Sequence, residues 1–397
     1  MSFIPRDLSS TISQFMEWFP VVSVTGPRQS GKSTLIREQL ADFTYLNLED
    51  PAVRSLSIED PVGFIRDRGE GLIIDEVQHS PELFSVLQVV SDERGTPGQY
   101  VISGSQNFLL MEKVSQSLAG RVGLTHLLPL SFREVRRARP EMTVEDFMVR
   151  GGYPRLYQLD MPAGAYFQSY VQTYLQRDVS QLLKAQNLGS FRQLLGLLAL
   201  NAGQLVNYTG LARELGVSFA TVKNWVSILE SSFVIFTLRP FYVNSRKKLT
   251  KTPKLYFYDT GLLCHLLGIS SKDQLVDSPS FGAACENLVV SETAKHYLHE
   301  GKVPELYFYR DDSKAEIDLL DMTAAPTAIE IKSSATFRPK YARHLTGTAS
   351  VLGIPVENRH VVYRGAYGQT LEHYVATPME EYLLFSQWHK TENDALR

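Results

Sequence analysis

Cysteine, uninterrupted apolar stretches and net charge are all scarce in this sequence. Its 397 residues include two cysteines, Cys264 and Cys285, which excludes a framework of disulfide bonds and suits a reducing compartment. No apolar run approaches the roughly 18 residues that a membrane-spanning helix needs. The first residues also lack the basic and apolar regions of a signal peptide, so we expect a cytoplasmic protein without a membrane partner. Because the net charge is only −3, any surface for nucleic acid must be a local patch.

A glycine-rich loop near the amino terminus is the most specific pattern in the chain. It follows a β-branched run at 21–24 and precedes a helix-forming stretch at 35–40. The motif G-x-x-x-x-G-K-[ST] is made by Gly26, Pro27, Arg28, Gln29, Ser30, Gly31, Lys32, Ser33 and Thr34. The backbone N–H groups of such a turn, with the start of the next helix, converge on phosphate oxygens. Lys32 adds a positive charge for the β- and γ-phosphates and Ser33 adds a hydroxyl for Mg²⁺. The loop therefore predicts binding of ATP with Mg²⁺.

An acidic pair ends the apolar run at 72–76. Asp75 at the end of this predicted strand can hold Mg²⁺ through water, and Glu76 can orient and polarise the attacking water as the catalytic base. Acidic residues are common wherever a strand runs into a loop, so the pair alone could be an ordinary strand end. Its position downstream of a phosphate-binding loop favours the catalytic interpretation.

The alternation of apolar strands with helices predicts a parallel α/β sheet whose ligand lies at the carboxyl ends of the strands. Four segments carry a family resemblance, namely residues 26–34, 73–78, 103–106 and 117–121. Together they resemble a large prokaryotic family of AAA-plus-like ATPases that have a carboxy-terminal domain of unknown function. The resemblance covers essentially the whole chain. It implies ATP hydrolysis in a homo-oligomer, with a hexameric ring as one arrangement.

Two further sites follow from this resemblance. In the AAA-plus layout, an arginine at the end of the helix after the fourth strand acts on a neighbouring subunit as an arginine finger, and Arg121 stands at that place. The alternative is a surface arginine in a salt bridge. Ser105 and Gln106, at the end of the strand-like run 100–106, are candidates for sensing the γ-phosphate, or they form a polar turn.

The predicted lid contains a glycine and proline turn at 151–154, which follows a stretch rich in arginine. Related signal-transduction ATPases have a G-x-P turn near the adenine and the β-phosphate, and the resemblance implies that role for Gly152 and Pro154. The alternative is that this turn only breaks a helix. Arg6 could lie near the adenine, but we expect a solvated side chain there.

A winged-helix pattern follows the lid. A helix at 208–215, a glycine turn and an N-cap at Ser218 precede a second helix at 219–230 that bears Thr221, Lys223 and Asn224. Strand-like runs at 233–238 and 254–258 flank a basic wing at 246–251. This pattern predicts contact with a DNA backbone, although winged helices also serve as packing modules in ATPase lids.

The last part of the chain has an ordered set of four charged residues. Glu286 lies near the start of a predicted helix, Asp318 on a strand, and Glu330 and Lys332 on the next strand. We expect two strands within 306–332. The set resembles the PD-(D/E)xK nuclease fold, which implies that the carboxylates hold Mg²⁺ and Lys332 positions the nucleophilic water. Two alternatives are a domain that binds DNA without cutting it and a protein-interaction domain.

The sequence thus predicts an α/β P-loop ATPase core at 1–135, a helical lid at 136–205, a winged helix at 206–258 and an α/β restriction-endonuclease-like domain at 259–397. The first hypothesis for function is an ATPase, dependent on Mg²⁺, that acts on duplex or branched DNA, which its last domain binds or cleaves. The second is a regulatory NTPase switch whose last two domains are protein-interaction modules.

Overall fold

The structure is a computed structural model that describes residues 3–104, 117–175, 188–241, 252–311 and 315–384. The candidate sensors Ser105 and Gln106 and the basic wing at 246–251 lie outside the described residues. Among the helices in these ranges, none is both long enough and apolar enough to cross a bilayer.

The first sheet has five parallel strands in the order β2-β3-β4-β1-β5, which confirms the predicted parallel α/β core. Its strands are β1 (Val21–Thr25), β2 (Thr44–Asn47), β3 (Leu72–Asp75), β4 (Tyr100–Gly104) and β5 (Val122–His126). Its helices are α1 (Leu8–Trp18), α2 (Lys32–Gln39), α3 (Pro51–Glu59), α4 (Pro61–Arg66) and α5 (Glu82–Arg94). Side chains alternate along a strand, so Ile74 packs with α4 and α5 on one face and Ile73 packs with α1 and α2 on the other.

The middle of the chain is helical. It comprises α6 (Phe132–Ala138), α7 (Val144–Arg150), α8 (Pro154–Gln158), α9 (Ala163–Tyr170), which continues as a π-helical turn (Val171–Leu175), and α10 (Leu188–Leu200). Ser131 and Glu134 form a capping box at the start of α6. Pro154 is the first residue of α8, where its missing N–H leaves no helical hydrogen bond unmade.

Two helices, α11 (Tyr208–Leu215) and α12 (Phe219–Ser231), lie before the strands β6 (Ile235–Pro240) and β7 (Lys254–Phe257). Gly216 ends α11 with a φ of +64°, and the Ser218 side chain caps α12 by accepting from the Thr221 N–H. β6 pairs antiparallel with β7 and parallel with β8 of the last part of the chain, at Arg239 opposite Tyr307. The hairpin after the helix pair is therefore one end of the second sheet.

The second sheet has the order β12-β13-β11-β10-β9-β8-β6-β7. Its other strands are β8 (Leu306–Arg310), β9 (Glu316–Asp321), β10 (Thr327–Lys332), β11 (Arg359–Tyr363), β12 (Gln369–Thr370) and β13 (Val375–Pro378). Its helices are α13 (Thr260–Leu266), α14 (Lys272–Asp277), α15 (Phe281–His299), α16 (Arg343–Val351) and α17 (Met379–Leu384). The expectation of two strands within 306–332 is wrong, because this segment contains three strands, β8, β9 and β10, each antiparallel to the next. After α16, β11 returns parallel to β10.

Helix α15 joins the two sheets. It packs against β5 of the first sheet and against β7 and β10 of the second. Every residue from Asn287 to His299 is buried, including the ion pair between Glu292 and Lys295. The Glu292 carboxylate also accepts from the Phe132 N–H at 2.7 Å, so the helix is tied by hydrogen bonds to the start of α6.

Candidate functional sites

The glycine-rich loop joins β1 to α2 at the carboxyl edge of the first sheet. Gly26 has a φ of +146° and Gly31 a φ of +96°, conformations that other residues rarely adopt. A Cβ atom on Gly26 would lie 2.1 Å from the carbonyl oxygen of Leu127. Glycine is therefore required at position 26, because the neighbouring chain comes so close.

The lysine of the loop is folded back onto the loop itself. The Lys32 ammonium donates to the carbonyl oxygens of Gly26 and Pro27, both at 3.0 Å, and the side chain is buried. These two carbonyl groups hold the ammonium at the mouth of the loop, which is the position from which it can meet a phosphate. Ser33 and Thr34 follow on the first turn of α2.

The carboxylate of Asp75, at the end of β3, accepts hydrogen bonds from four donors. Its Oδ2 accepts from the Ser33 hydroxyl at 2.6 Å and from the Tyr45 hydroxyl at 2.5 Å. Its Oδ1 accepts from the Ser103 hydroxyl and from the Glu76 N–H. Burial, and then the hydrogen bond to Asp75, raise the pKa of Tyr45. Oxygen atoms of Ser33 and Asp75 are thus in contact at the edge of the sheet, and such hard oxygen ligands fit Mg²⁺.

Glu76 occupies a turn directly after this carboxylate. Its backbone has a φ of +55°, in the left-handed region, and a short 3₁₀ helix (Val77–His79) follows. Its side chain accepts a hydrogen bond from the Gln78 amide. Because of this left-handed turn, the two neighbouring carboxylates lie in different places. Asp75 contacts Ser33 on α2, whereas Glu76 lies on the loop beyond the strand.

The lid touches the phosphate loop at two places. A Cβ on Gly31 would lie 3.5 Å from the Pro154 ring, and the Tyr166 hydroxyl donates to the Gln29 side chain at 2.8 Å. A cavity opens beside these contacts. It is lined by Ile4, Arg6, Gly31, Thr34, Pro154 and Tyr157, among others. This mixed apolar and polar hollow next to the loop has the character that a nucleotide base requires.

Arg6 is buried, so the expectation of a solvated side chain is wrong. Its guanidinium donates to the carbonyl oxygens of Ser30 at 2.8 Å and Leu128 at 2.6 Å, and its Nε donates to Glu134 at 3.1 Å. A guanidinium tolerates burial when its donors are paired in this way. Arg6 therefore ties the phosphate loop to the chain after β5 and to α6, and it also lines the cavity beside the loop.

Arg121 lies at the amino ends of the strands of the first sheet, whereas the glycine-rich loop lies at their carboxyl ends. The Arg121 carbonyl accepts from the N–H of Val21, the first residue of β1. The half-exposed guanidinium forms a bidentate pair with Asp92, at 2.5 and 2.8 Å. Arg121 is thus unable to reach this chain's own nucleotide, and a role in a neighbouring subunit's site stays a prediction.

The second candidate site lies on β9 and β10. The Lys332 ammonium is 2.6 Å from Glu330 and 3.5 Å from Asp318, and the Asp318 carboxylate also accepts from the Ile331 N–H at 2.7 Å. Burial, and then Asp318, raise the pKa of Glu330 to about 8, against an opposing effect of Lys332. The other oxygen of Glu330, Oε2, is buried and has no hydrogen-bond partner.

Glu286 belongs to an adjoining group rather than to the Lys332 contacts. Its carboxylate accepts from the Lys254 ammonium at 3.0 Å and from the Tyr256 hydroxyl at 2.7 Å. The same ammonium is 2.6 Å from Glu316. Burial would lower the pKa of Lys254, but Glu286, Asp318 and Glu316 raise it, so this lysine is charged. Burial, and then Asp318, raise the pKa of Glu286.

The three predicted metal ligands of this region do not converge within 4.8 Å of one another. In the described part of the chain, that spacing for three ligand atoms is met by Asp7, Glu134 and His299. There the Arg6 guanidinium is bonded to Glu134, and burial, followed by Arg6, lowers the pKa of His299. This group is therefore an ion-pair network between the amino terminus, α6 and α15.

Several residues of both sites are absent from the sequence-based prediction. Tyr45 and Ser103 lie inside apolar runs that predict strands. Nothing in those runs distinguishes a side chain that bonds Asp75 from any other strand residue. Lys254 begins the apolar run Lys-Leu-Tyr-Phe, and a lysine before a strand commonly lies in solvent. The alternation of that run, which places Lys254 and Tyr256 on the same face, is the signal that could have indicated them.

Three known families match successive parts of this chain. Residues 19–136 match an AAA domain, 141–273 a domain of unknown function (DUF8612) and 281–382 another domain of unknown function (DUF4143). An uncharacterized protein of Mycobacterium tuberculosis is 31% identical over 385 residues, which cover 95% of this chain and 84% of that protein. The chain therefore belongs to the same family as this mycobacterial protein, a family of P-loop ATPases. An uncharacterized protein of Methanocaldococcus jannaschii is 22% identical over 329 residues, covering 75% of this ATPase and 71% of that protein.

Two solved structures resemble part of this chain at low sequence identity. A Walker-type ATPase of Pyrococcus abyssi has 14% identity and a TM-score of 0.43, and covers 67% of this chain with 96% of its own. The RuvB Holliday junction branch migration motor of Thermotoga maritima has 18% identity and a TM-score of 0.29, and covers 58% of this chain with 88% of its own. The matches to the AAA domain at 19–136 and to DUF4143 at 281–382 confirm the predicted resemblance to an ATPase family with a carboxy-terminal domain of unknown function.

Proposed function

We propose that this ATPase hydrolyses ATP with Mg²⁺ and couples the hydrolysis to work on DNA, which its last domain binds and cleaves with a divalent metal ion. The proposal has two parts, one for each candidate site. The first part extends the family assignment to a mechanism, and the second assigns a substrate to the carboxylates of the second sheet.

The contact between Ser33 and Asp75 supports the first part. The two side chains whose oxygen atoms suit Mg²⁺ are already joined at 2.6 Å, next to the buried ammonium of Lys32. Bound Mg²⁺ neutralises phosphate charge and stabilises the charge that develops during phosphoryl transfer. In this site, Lys32 holds the β- and γ-phosphates, Asp75 orients the Ser33 hydroxyl, and Glu76 accepts a proton from the attacking water.

The surroundings of the Glu330 carboxylate are the observation that carries the second part of the proposal, cleavage of DNA. One of its oxygen atoms is buried without a partner, and its other oxygen contacts Lys332, which also lies near Asp318. An unsatisfied buried carboxylate oxygen is costly unless a proton or a cation completes it. A divalent ion there would polarise a phosphodiester and activate water. The Lys332 ammonium, which lies beside both carboxylates, would hold that water.

The order of elements around this site supports a nuclease-like domain. α15 precedes the three antiparallel strands β8, β9 and β10, and α16 then leads to β11, which is parallel to β10. A helix, three antiparallel strands, a helix and a parallel strand are the arrangement that the PD-(D/E)xK resemblance implies.

Helix α12 is the proposed DNA-contacting element. Lys223 and Asn224 are exposed on it, and the Thr221 hydroxyl is within 2.8 Å of the capping Ser218 hydroxyl. Exposed lysine, amide and hydroxyl groups at the start of a helix are suited to phosphate and base contacts. The buried face of α12, which includes Trp225 and Leu229, packs into the core.

Cleavage of labelled duplex and branched DNA, with Mg²⁺ or Mn²⁺, tests the proposal. We expect cutting that is lost in Lys332→Ala and Asp318→Asn and retained in Lys272→Ala, a matched change of an exposed lysine on α14. DNA binding that weakens with salt should persist in the inactive variants. Cutting that survives in Lys332→Ala would show that the activity comes from another site or from a contaminant.

A regulatory switch is the second candidate function. The observation in its favour is that lysines already neutralise the carboxylates, Lys332 at Glu330 and Lys254 at Glu286 and Glu316. In that case ATP turnover would be intact, no cut would appear with any metal, and DNA would not change the ATPase rate. That set of results would favour protein-interaction roles for the last two domains.

A further inference from the structure

Lys254 brings a positive charge into the carboxylate site from outside the carboxy-terminal domain. Its ammonium is 3.0 Å from Glu286 and 2.6 Å from Glu316, and it lies 5.4 Å from the centre of the Phe308 ring. The side chain is 4% exposed. Because it enters on β7, the site is complete only when the hairpin after α12 is part of the second sheet.

The surroundings hold this ammonium in place. The Tyr256 hydroxyl, two residues along β7, donates to the same Glu286 oxygen that Lys254 contacts. Gly203, with a φ of +75°, brings its backbone close to the same carboxylate, since a Cβ there would lie 3.4 Å from Oε1. A lysine that is buried and paired with two carboxylates is a constant feature of the site rather than a mobile surface charge.

The charges of the site divide into two groups. Lys254 pairs with Glu286 and Glu316, whereas Lys332 lies between Asp318 and Glu330, where the partnerless Glu330 oxygen is found. A site with four carboxylates could in principle hold two divalent ions that share ligands. Each group already has a lysine ammonium, and Glu316 also lies 3.7 Å from Arg310. The second group differs because its Glu330 Oε2 is buried without a hydrogen-bond partner, so the position for an ion lies at Asp318 and Glu330.

We infer that Lys254 is a built-in cation that takes the place of a second metal ion, so that the carboxylate site binds a single divalent ion on Asp318 and Glu330. This inference rests on the metal binding proposed above. It assigns Lys254 as a positioning residue, which holds Glu286 and Glu316 away from the metal.

Mn²⁺ binding to the full-length chain, measured by electron paramagnetic resonance without nucleotide, tests the inference. All proteins carry Asp75→Asn, which removes the carboxylate of the first site. We expect one bound Mn²⁺, lost in Asp318→Asn. Lys254→Met should add a second bound Mn²⁺ or tighten binding at least about tenfold, because Glu286 and Glu316 lose the Lys254 ammonium. Lys254→Arg should keep a single ion, and so should Lys302→Met, a change of an exposed lysine.

A double variant distinguishes an effect on metal binding from a loss of the fold. Lys254→Met leaves Glu286 with the Tyr256 hydroxyl and Glu316 with Arg310, but without the ammonium that both contact, which is destabilising. Lys254→Met with Glu286→Gln removes charge of both signs and should return the count to one ion. If Lys254→Met binds Mn²⁺ as its parent does, the inference is wrong while the metal site stands. If no protein of the series binds Mn²⁺, the proposed metal function fails together with it. Binding seen only in Lys254→Met would show that lysine itself is the resident cation and that the native site takes no metal.

Discussion

The Ser33 hydroxyl donates to the Asp75 carboxylate at 2.6 Å, and this bond joins the first turn of α2 to the end of β3. Because this bond places the two oxygen ligands side by side, they need little rearrangement to receive Mg²⁺. The relationship makes the site dependent on both side chains, and it leads to the first prediction.

Removing either oxygen ligand should uncouple nucleotide binding from Mg²⁺. In Ser33→Ala and Asp75→Asn, we expect hydrolysis to fall by about a hundredfold or more, since metal stabilisation of the transition state is lost. The affinity for a fluorescent ATP analogue should become the same with Mg²⁺ and with EDTA. Ser55→Ala, a change of an exposed serine that bonds only Glu59, is the matched control. A variant that keeps the full effect of Mg²⁺ on affinity would exclude this metal site.

Glu76 should be required for hydrolysis but not for binding. Its carboxylate lies beyond the metal-binding oxygen atoms, so Glu76→Gln removes a proton acceptor and keeps the size of the side chain. We expect at least a hundredfold loss of phosphate release with ATP affinity within about threefold of the parent. Glu82→Gln, an exposed carboxylate at the start of α5, is the control. Equal losses of affinity and rate would assign Glu76 a structural role, through its bond with Gln78.

The sequence alone predicts those parts of the fold that depend on local patterns. The strand before the loop, the parallel sheet and the Ser218 cap follow from β-branched runs, helix signals and capping chemistry, each contained within a few residues. The meeting of Glu330 with Lys332 also follows, because two positions along a strand share a face. Such features need no knowledge of the rest of the chain.

Contacts between distant segments were not predictable in this way. Arg6 lies 24 residues before its partner Ser30 and 128 before Glu134, and nothing in the local sequence distinguishes it from a solvated arginine. Lys254 meets Glu286 only because β6 and β7 extend the second sheet, a pairing that involves strands of two predicted domains. Long-range strand pairing depends on the whole packing, which single-sequence patterns do not record.

Glu330 should make the stability of the chain depend on pH. Its pKa is raised from 4.5 to about 8 in the folded chain, first by burial and then by Asp318. Between these values the unfolded chain has lost the proton that the folded chain keeps, so a rise in pH favours unfolding. The contribution to stability is complete below about pH 4.5 and is lost as the pH rises through about 8. Between pH 5 and pH 8, we expect this loss to be on the order of 3 kcal/mol for the one group, with the opposing effect of Lys332 already contained in the raised pKa.

Urea unfolding, followed by circular dichroism at pH 5 and pH 8 without divalent ions, measures this effect. Glu330→Gln lacks the titrating carboxyl. Between pH 5 and pH 8, its free energy of unfolding should therefore fall less than that of the parent, and the difference should equal the loss expected for Glu330. Glu372→Gln, whose side chain is 87% exposed, should keep the fall of the parent. Added Mn²⁺ should stabilise the parent more at pH 8 than at pH 5, because an ion competes with the proton for the partnerless oxygen of Glu330. If Glu330→Gln and the parent lose stability equally, the buried carboxyl is not the group that titrates, and the case for a cation at this oxygen loses its main support.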